Sequence, residues 1–224
     1  MTDACLRAAA VLGALLLAFS LAPAVRAQEE PLRVRASAAV APCVAAASQS
    51  FAGGRRVALE TTSLRDPGPA DVLVGALVEM TRALEGGEAV VNSDVDIAEI
   101  PWVLSVASGN PLRVKSLADA RDKGVEVVVL GGPVSYEARR ALAGGGTSRV
   151  RELSDRAALR AAAVALVPLS LAGGGERIAV SEVPPLRVSA AIGAHAAQPE
   201  RALELVRYLG SEAGQRAFAA CGPR

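Results

Sequence analysis

The stretch LRVRASAAVAPC, residues 32–43, changes in its middle from a strand pattern to a helix pattern, and this change sets the fold class. Its first part, residues 32–36, is rich in residues that favour a β-strand. Pro42 then stands where the first turn of a helix tolerates proline. The residues after it predict a helix that stops at Gly53 and Gly54. The chain therefore opens with a β–α unit.

The same alternation of strands and helices runs through the rest of the chain. Predicted strands lie at residues 55–62, 70–76, 101–111, 125–132 and 163–171, and in two pieces within 177–193. Predicted helices lie at residues 77–87, 116–124, 135–146, 155–163, 199–210 and 211–222. The run VEVVVLGG, residues 125–132, is nearly all apolar, as expected for a strand covered on both faces. The pattern predicts an α/β fold with mainly parallel sheets.

Capping residues and an apolar stripe support several of these helices. Ser116 and Asp119 have the spacing of a capping box, and Ser154 and Ser211 are predicted N-caps. The helix at residues 199–210 carries four apolar residues at helical spacing, which predict that it packs on a sheet. These residues are Ala202, Leu205, Val206 and Leu209.

The first 27 residues have the features of a cleaved export signal. An apolar run from Ala8 to Ala22 follows a single arginine, and small residues precede a predicted cleavage site near Ala27. The alternative is an uncleaved membrane anchor, although the run is shorter than the roughly 18 apolar residues usual for a span. We therefore expect a soluble protein exported to the periplasm.

The charge balance and the absence of known catalytic motifs exclude several functions. The 24 basic and 23 acidic residues leave a net charge of +1, so we expect no nucleic acid partner. The sequence has no Gly-x-Ser-x-Gly elbow and no phosphate loop with its lysine. His195 is the sole histidine and lacks the partners that a metal site or a general base needs. We expect no enzymatic activity, no metal and no cofactor.

Two cysteines remain once Cys5 leaves with the export signal. Cys43 and Cys221 would lie in an oxidising compartment, which favours a disulfide between the first helix of the mature chain and the last. Two separately buried free cysteines remain the alternative, since sequence spacing does not show that distant residues meet.

Four segments, in order, resemble the periplasmic molybdate-binding family, the solute-binding subunits of ABC importers for tetrahedral oxyanions. They are LRVRASAAV (32–40), PADVLVGA (69–76), SLADARDKGVEVVVLGGP (116–133) and AAIGAHAAQPERALELVRYLGSEAGQRAFAACG (190–222). The resemblance implies two α/β lobes, joined by two crossing strands, with a ligand cleft between them. It places lobe I at residues 28–102 plus 188–224 and lobe II at residues 103–187.

The resemblance also implies an anion site built from backbone N–H groups and hydroxyls at helix starts. Its first serine position corresponds to Ala39 here, with Ser37 two residues earlier, while Pro42 has no N–H to donate. The family also has a tyrosine on a strand of lobe II. The corresponding segment here, residues 167–171, has no tyrosine, and Ser170 is its polar candidate for ligand contact. The candidate ligand-binding residues are Ser37, Ala39, Thr61, Thr62, Ser63 and Ser135.

For most of these hydroxyls, capping of a helix or turn is an alternative role. Thr61, Thr62 and Ser63 precede Pro67 without room for the helix that the family has there. Trp102 could stack on a ligand or fill the core. The family's structural segments are thus better kept than its ligand segments.

Two hypotheses follow. The first is a monomeric periplasmic solute-binding protein of an ABC importer, which binds a small molybdate-like oxyanion between its lobes and delivers it to a permease in the inner membrane. The alternative is a non-transport periplasmic interaction or assembly protein that keeps the scaffold with a degenerate pocket.

Overall fold

Two five-stranded sheets form the framework of the protein. The computed structural model describes residues 30–51, 56–65, 68–144 and 149–221. Its strands are β1 (Leu32–Ala36), β2 (Val57–Thr61), β3 (Val72–Ala76), β4 (Val95–Ile100), β5 (Trp102–Val106), β6 (Glu126–Leu130), β7 (Arg149–Leu153), β8 (Val164–Pro168), β9 (Glu176–Ala179) and β10 (Leu186–Ile192). The first sheet has the order β2-β1-β3-β10-β4, and the second has the order β7-β6-β8-β5-β9.

Helices flank both sheets, as the alternating sequence pattern predicts. They are α1 (Ala41–Ser50), α2 (Leu77–Glu85), α3 (Leu117–Asp122), α4 (Tyr136–Ala143), α5 (Arg156–Ala161), α6 (Pro199–Gly210) and α7 (Glu212–Ala219). Two short 3-10 turns, Pro133–Ser135 and Leu169–Leu171, precede α4 and follow β8. The predicted α/β fold with two lobes is confirmed.

Each sheet contains one reversed strand. In the first sheet β10 runs antiparallel to both neighbours, and in the second sheet β5 does the same. The other four strands of each sheet share one direction, so the sheets are mixed and mainly parallel. The chain enters the second sheet across Pro101 and returns to the first after β9. The residue boundaries given above for the two lobes stay a prediction.

Most predicted elements are present, with three differences. Strands β4 and β7 were not predicted, because charged residues such as Asp96, Glu99 and Arg151 interrupt their apolar patterns; each lies at the edge of its sheet, where charged side chains face water. The predicted cap Ser154 is wrong, because Asp155 accepts hydrogen bonds from the backbone N–H groups of Ala157 and Ala158, each at 3.1 Å. Helix α5 therefore begins one residue later than predicted.

The apolar stripe of α6 packs on the first sheet as predicted. Its four residues are at most 1% exposed, and the helix contacts β10, β4 and β3. Ser211 caps α7 by accepting a hydrogen bond from the N–H of Gly214 at 3.2 Å, and Ser116 caps α3 through the N–H of Asp119 at 3.0 Å. Local signals in the sequence thus mark three of these helix starts, counting the proline in the first turn of α1.

A disulfide and a buried carboxylate connect segments of lobe I that are far apart in the sequence. Cys43 in α1 and Cys221 after α7 form a disulfide with a Cα–Cα distance of 4.7 Å. Asp71 is fully buried, and its carboxylate accepts hydrogen bonds from the N–H groups of Arg33, Ala197 and Gln198 at 2.8, 2.7 and 3.1 Å. The loop before α6 is thereby fastened to β1 and β3.

Several predicted features lie outside the described residues. They are the export signal at residues 1–27, the helix stop at Gly53 and Gly54, and Pro67. In the part of the chain that the structure describes, no helix has the length and apolar character needed to cross a membrane.

Candidate functional site

The two lobes meet at the start of α1. There the hydroxyl of Ser170, in the turn after β8, donates a 2.5 Å hydrogen bond to the backbone carbonyl of Ala39. Both residues are buried. A bond between a buried hydroxyl and a buried carbonyl satisfies two groups that would otherwise be costly to bury. The predicted ligand position Ala39 is therefore in contact with lobe II.

A second contact between the lobes lies at the start of α2, which packs against the turn Pro133–Ser135. Beside it runs an apolar groove of about 330 Å³ with walls from both lobes. Leu77 and Val78 line one side, and Val134 and Tyr136 line the other. Trp102 is 2% exposed and therefore part of the core, and it also lines the groove.

A row of polar residues crosses the first sheet at the same edge, beneath α2. Ser189 on β10 pairs directly with Gly75 on β3, so the two residues face the same side of the sheet. The pairing of β1 with β3 ends at Ala36 and Val74, and the N–H of Ser37 donates to the Val74 carbonyl at 3.0 Å. Ser37 therefore continues the row on the other side of Gly75. We call Ser37, Gly75 and Ser189 the polar row.

Both serine hydroxyls of the polar row are buried, and one of them lacks a partner. Ser37 is 1% exposed and its hydroxyl interacts with the Glu79 carboxylate, whereas Ser189 is 0% exposed and its Oγ atom makes no hydrogen bond. A buried hydroxyl without a hydrogen bond is costly, and such groups concentrate where a structure has a reason to keep them. The row is thus a candidate for ligand contact.

The Glu79 carboxylate lies over the polar row. A Cβ atom at residue 75 would lie 3.4 Å from Glu79 Oε2 and would collide with Leu64 Cδ1. Glu79 Oε2 also accepts a hydrogen bond from the N–H of Ala76 at 3.2 Å. Burial raises the pKa of the Glu79 carboxyl above its ordinary value near 4.5; the Ser37 hydroxyl, the Ala76 N–H and Arg82 oppose the rise without cancelling it.

The predicted hydroxyl run after β2 lies next to the row but points mostly to solvent. Thr61 and Ser63 are exposed, and Thr62 is half-buried with its N–H donating to the Ala36 carbonyl at 3.0 Å. Ser63 Oγ accepts a 3.3 Å hydrogen bond from the N–H of Arg65, so it stabilises a turn. Among the described residues between β2 and β3, 62–65 and 68–71, there is no helix, as expected from a sequence that leaves no room for the helix of the molybdate-binding family.

In lobe II the predicted residue Ser135 stands immediately before α4. It is fully buried, and its hydroxyl makes no hydrogen bond. Because the turn that contains it packs on α2, Ser135 lies at the meeting surface of the lobes. The structure thus brings Ser37, Ala39 and Ser135 to the interlobe surface and leaves Thr61 and Ser63 facing solvent.

The described residues offer no metal centre. No group of three or more His, Cys, Asp or Glu side chains within those ranges is arranged to hold a metal ion. His195 is exposed in the loop before α6. The sulfur atoms of Cys43 and Cys221 are joined to each other.

Sequence reasoning missed Glu79 and Ser189. Glu79 stands three residues after Ala76 at a predicted helix start, a position from which a carboxylate commonly bonds back to the N-cap N–H, so a local signal for it existed. Ser189 had no such signal, because only the pairing of β10 with β3 brings it beside Gly75.

Comparisons with known proteins agree with this architecture. The sequence profile described as bacterial extracellular solute-binding protein matches residues 21–224. No curated protein sequence matches the chain.

Three solved structures are similar in fold. The periplasmic molybdate-binding protein of Azotobacter vinelandii has a TM-score of 0.70 at 17% identity, over 86% of this chain and 100% of that chain. The sulfate-binding protein SubI of Mycobacterium tuberculosis H37Rv has a TM-score of 0.68 at 15% identity, over 87% and 86% of the two chains. L-phospholactate-bound PEB3, a protein of Campylobacter jejuni, has a TM-score of 0.66 at 15% identity, over 85% and 98%.

At these identities the similarity shows the fold alone. The profile, in contrast, covers nearly the whole chain. The chain belongs to the bacterial extracellular solute-binding protein family.

Proposed function

We propose that this chain is the periplasmic solute-binding subunit of an ABC importer and that it holds a small oxyanion between its two lobes. The observation that carries the proposal is a pair of buried serines, Ser37 in lobe I and Ser135 in lobe II; the Ser135 hydroxyl makes no hydrogen bond, and the Ser37 hydroxyl faces the Glu79 carboxylate. Ser135 immediately precedes the helix α4 and Ser37 lies four residues before the helix α1, and the partial positive charge of a helix start favours an anion.

Relatives in fold support the ligand class. Their names record molybdate, sulfate and phospholactate as ligands, and all three carry an oxyanion group. A ligand that contacts both lobes would favour the closed arrangement, which a permease in the inner membrane would recognise.

The test is a binding panel of molybdate, tungstate, sulfate, phosphate and small carboxylates, measured by thermal shift and by calorimetry. An anion present at about 100 times its dissociation constant adds about 2.7 kcal/mol to the free energy of unfolding. Ser37→Ala and Ser135→Ala are expected to weaken binding. Ser50→Ala, which changes an exposed serine at the far end of α1, is the matched control and should bind normally.

A second function, an interaction or assembly protein with a degenerate pocket, is favoured by one observation. The Ser170 hydroxyl donates to the carbonyl of Ala39 just before α1, so a direct contact between the lobes takes up this acceptor. If no anion of the panel shifts the melting temperature or releases heat, this second function replaces the first.

A further inference from the structure

The groove beside the start of α2 is an open cavity with mostly apolar walls. It has a volume of about 330 Å³, and α2 and the turn before α4 form its two sides. Val78 is 39% exposed on one side, and Tyr136 is 59% exposed on the other. Exposed apolar residues are ordinary when they are scattered, whereas apolar residues gathered along one groove mark a binding site. The groove therefore offers apolar surface that a ligand can cover.

The groove adjoins the place where the proposed function puts an oxyanion. Ser135 stands at the start of α4, and its buried hydroxyl makes no hydrogen bond. Its two neighbours in the chain, Val134 and Tyr136, line the groove. An anion held at this helix start lies next to the groove, so a group attached to the anion can extend into it.

The charges of the groove favour an uncharged group there. Among the described residues that line it, Arg187 and Glu137 are the charged ones. Arg187 Nη2 lies 2.5 Å from Asp96 Oδ2, and Glu137 Oε2 lies 3.8 Å from Arg140 Nη1. Each charge thus has a partner of opposite sign within the protein. A charged group buried in the groove would lose its water against apolar walls, whereas an apolar group would not carry this cost.

We propose that the solute is an organic acid, with an oxyanion head group at the start of α4 and an aromatic or branched apolar body that packs in the groove between Val78 and Tyr136. The proposal rests on the proposed function, since it names the solute class of the same cleft. An inorganic tetrahedral anion would leave the apolar walls in water. Pockets for organic ligands, in contrast, are mostly apolar and use a few polar groups to fix the orientation of the ligand.

The first test compares acids that share a head group and differ in the body. Calorimetry measures methylphosphonate against phenylphosphonate, methanesulfonate against benzenesulfonate, and acetate against benzoate. In at least one pair the phenyl acid should bind at least about tenfold more tightly, because even one methylene group in a hydrophobic pocket changes affinity by about this factor. Its binding should also have the more negative change in heat capacity, which is the mark of buried apolar surface.

The second test changes the walls of the groove at exposed positions, where the fold tolerates substitution. Val78→Asn places an amide against the phenyl ring, so it should weaken the phenyl acid about tenfold and leave the methyl acid unchanged. Val91→Asn makes the same change at a valine that is 70% exposed in the loop before β4, and it should bind both acids as the wild type does. Tyr136→Ala should also weaken the phenyl acid, and Tyr136→Phe should retain its affinity.

The third test uses the fluorescence of Trp102. It is the sole tryptophan of the chain and lines the groove, so its emission reports on this place. A phenyl acid that fills the groove should change the emission at saturation more than the matching methyl acid does. A phenyl acid that binds without this difference would lie elsewhere, which overturns the placement.

The outcomes separate the two proposals. Phenyl acids that bind no more tightly than methyl acids, or inorganic anions that bind where no phenyl acid does, overturn this inference and leave the proposed function standing. Equal weakening of methyl and phenyl acids by Val78→Asn also overturns it, because the groove is then a surface on which the lobes close. No binding of any organic acid or inorganic anion overturns the proposed function and this inference with it.

Discussion

Lobe I contains two carboxylates with opposite surroundings, the fully buried Asp71 and the half-buried Glu79. Asp71 receives three backbone N–H donors and the guanidinium of Arg33, whose Nε lies 3.6 Å from Oδ2. Glu79 receives one backbone N–H and the Ser37 hydroxyl, and the nearby Ser189 hydroxyl makes no hydrogen bond. Burial raises the pKa of Glu79, because its few donors do not replace the water it has lost.

The difference separates a structural group from a candidate functional group. A buried charge with every lone pair occupied holds distant segments together, here β1, β3 and the loop before α6. A charge that has lost its water and has few hydrogen-bond donors around it is costly to bury, and such groups are common at binding sites. The four predictions below test this contrast from the largest expected effect to the smallest.

Removing the satisfied carboxylate should have the largest effect. Asp71→Ala leaves three part-buried N–H groups without their acceptor and Arg33 without its partner, so we expect a loss of about 3–5 kcal/mol in the free energy of unfolding. Urea denaturation measures it. The control Asp96→Ala removes an exposed ion pair with Arg187 and should cost less than about 1 kcal/mol. Equal losses for both variants would contradict a structural role for Asp71.

The second-largest effect is expected for the disulfide, which joins α1 to the residue after α7 in the same lobe as Asp71. Replacing Cys43 and Cys221 together by serine should lower the free energy of unfolding by about 2–4 kcal/mol, because the unfolded chain regains the freedom of a long closed loop. Denaturation with and without reductant measures this loss. The double variant should then be insensitive to reductant, and a wild type equally insensitive would count against the link.

The third-largest loss of stability is expected for the hydrogen bond between the lobes. Ser170→Ala removes the donor to the buried carbonyl of Ala39, which should cost about 1–2 kcal/mol. Ser181→Ala changes an exposed serine and should leave the free energy of unfolding unchanged. If both variants unfold at the same denaturant concentration, the bond does not hold the lobes together.

The smallest effect is expected for Glu79, and its sign is the informative part. Because the folded-state pKa is raised, the folded protein binds a proton more readily than the unfolded chain, and stability falls as the pH rises from the unfolded pKa through the folded one. Glu79→Gln should abolish this fall, whereas the wild type and Glu85→Gln should retain it. Denaturation curves between about pH 4 and pH 7 measure the slope. A steeper fall in Glu79→Gln than in the wild type would be incompatible with a raised pKa.

Much of lobe I and lobe II could be predicted because their signals are local. The all-apolar run around Val128, the stripe on α6 and the cap Ser211 each depend on residues within one or two turns of one another. The same locality explains the failures. Strand β4 carries charges suited to a sheet edge, and the sequence does not reveal which strand will form an edge.

The candidate site could be predicted only in part. Ser135 stands at a helix start and Ser37 four residues before one, where the order of elements alone draws attention to a hydroxyl. Their burial, and the partners within reach of their hydroxyls, depend on side chains from other elements. The role of Ser170 as a donor to Ala39 also crosses between lobes and has no local sequence signature.

The sequence by itself determined the order of strands and helices, most of their ends and the apolar faces, because periodicity, capping and proline act over a few residues. Tertiary structure decided which strands are neighbours. It inserted the reversed strand β10 beside β3, placed Ser189 against Gly75 and brought Glu79 over them. Register between strands that are far apart in the chain depends on the packing of both sheet faces at once, and no short stretch of sequence contains that information.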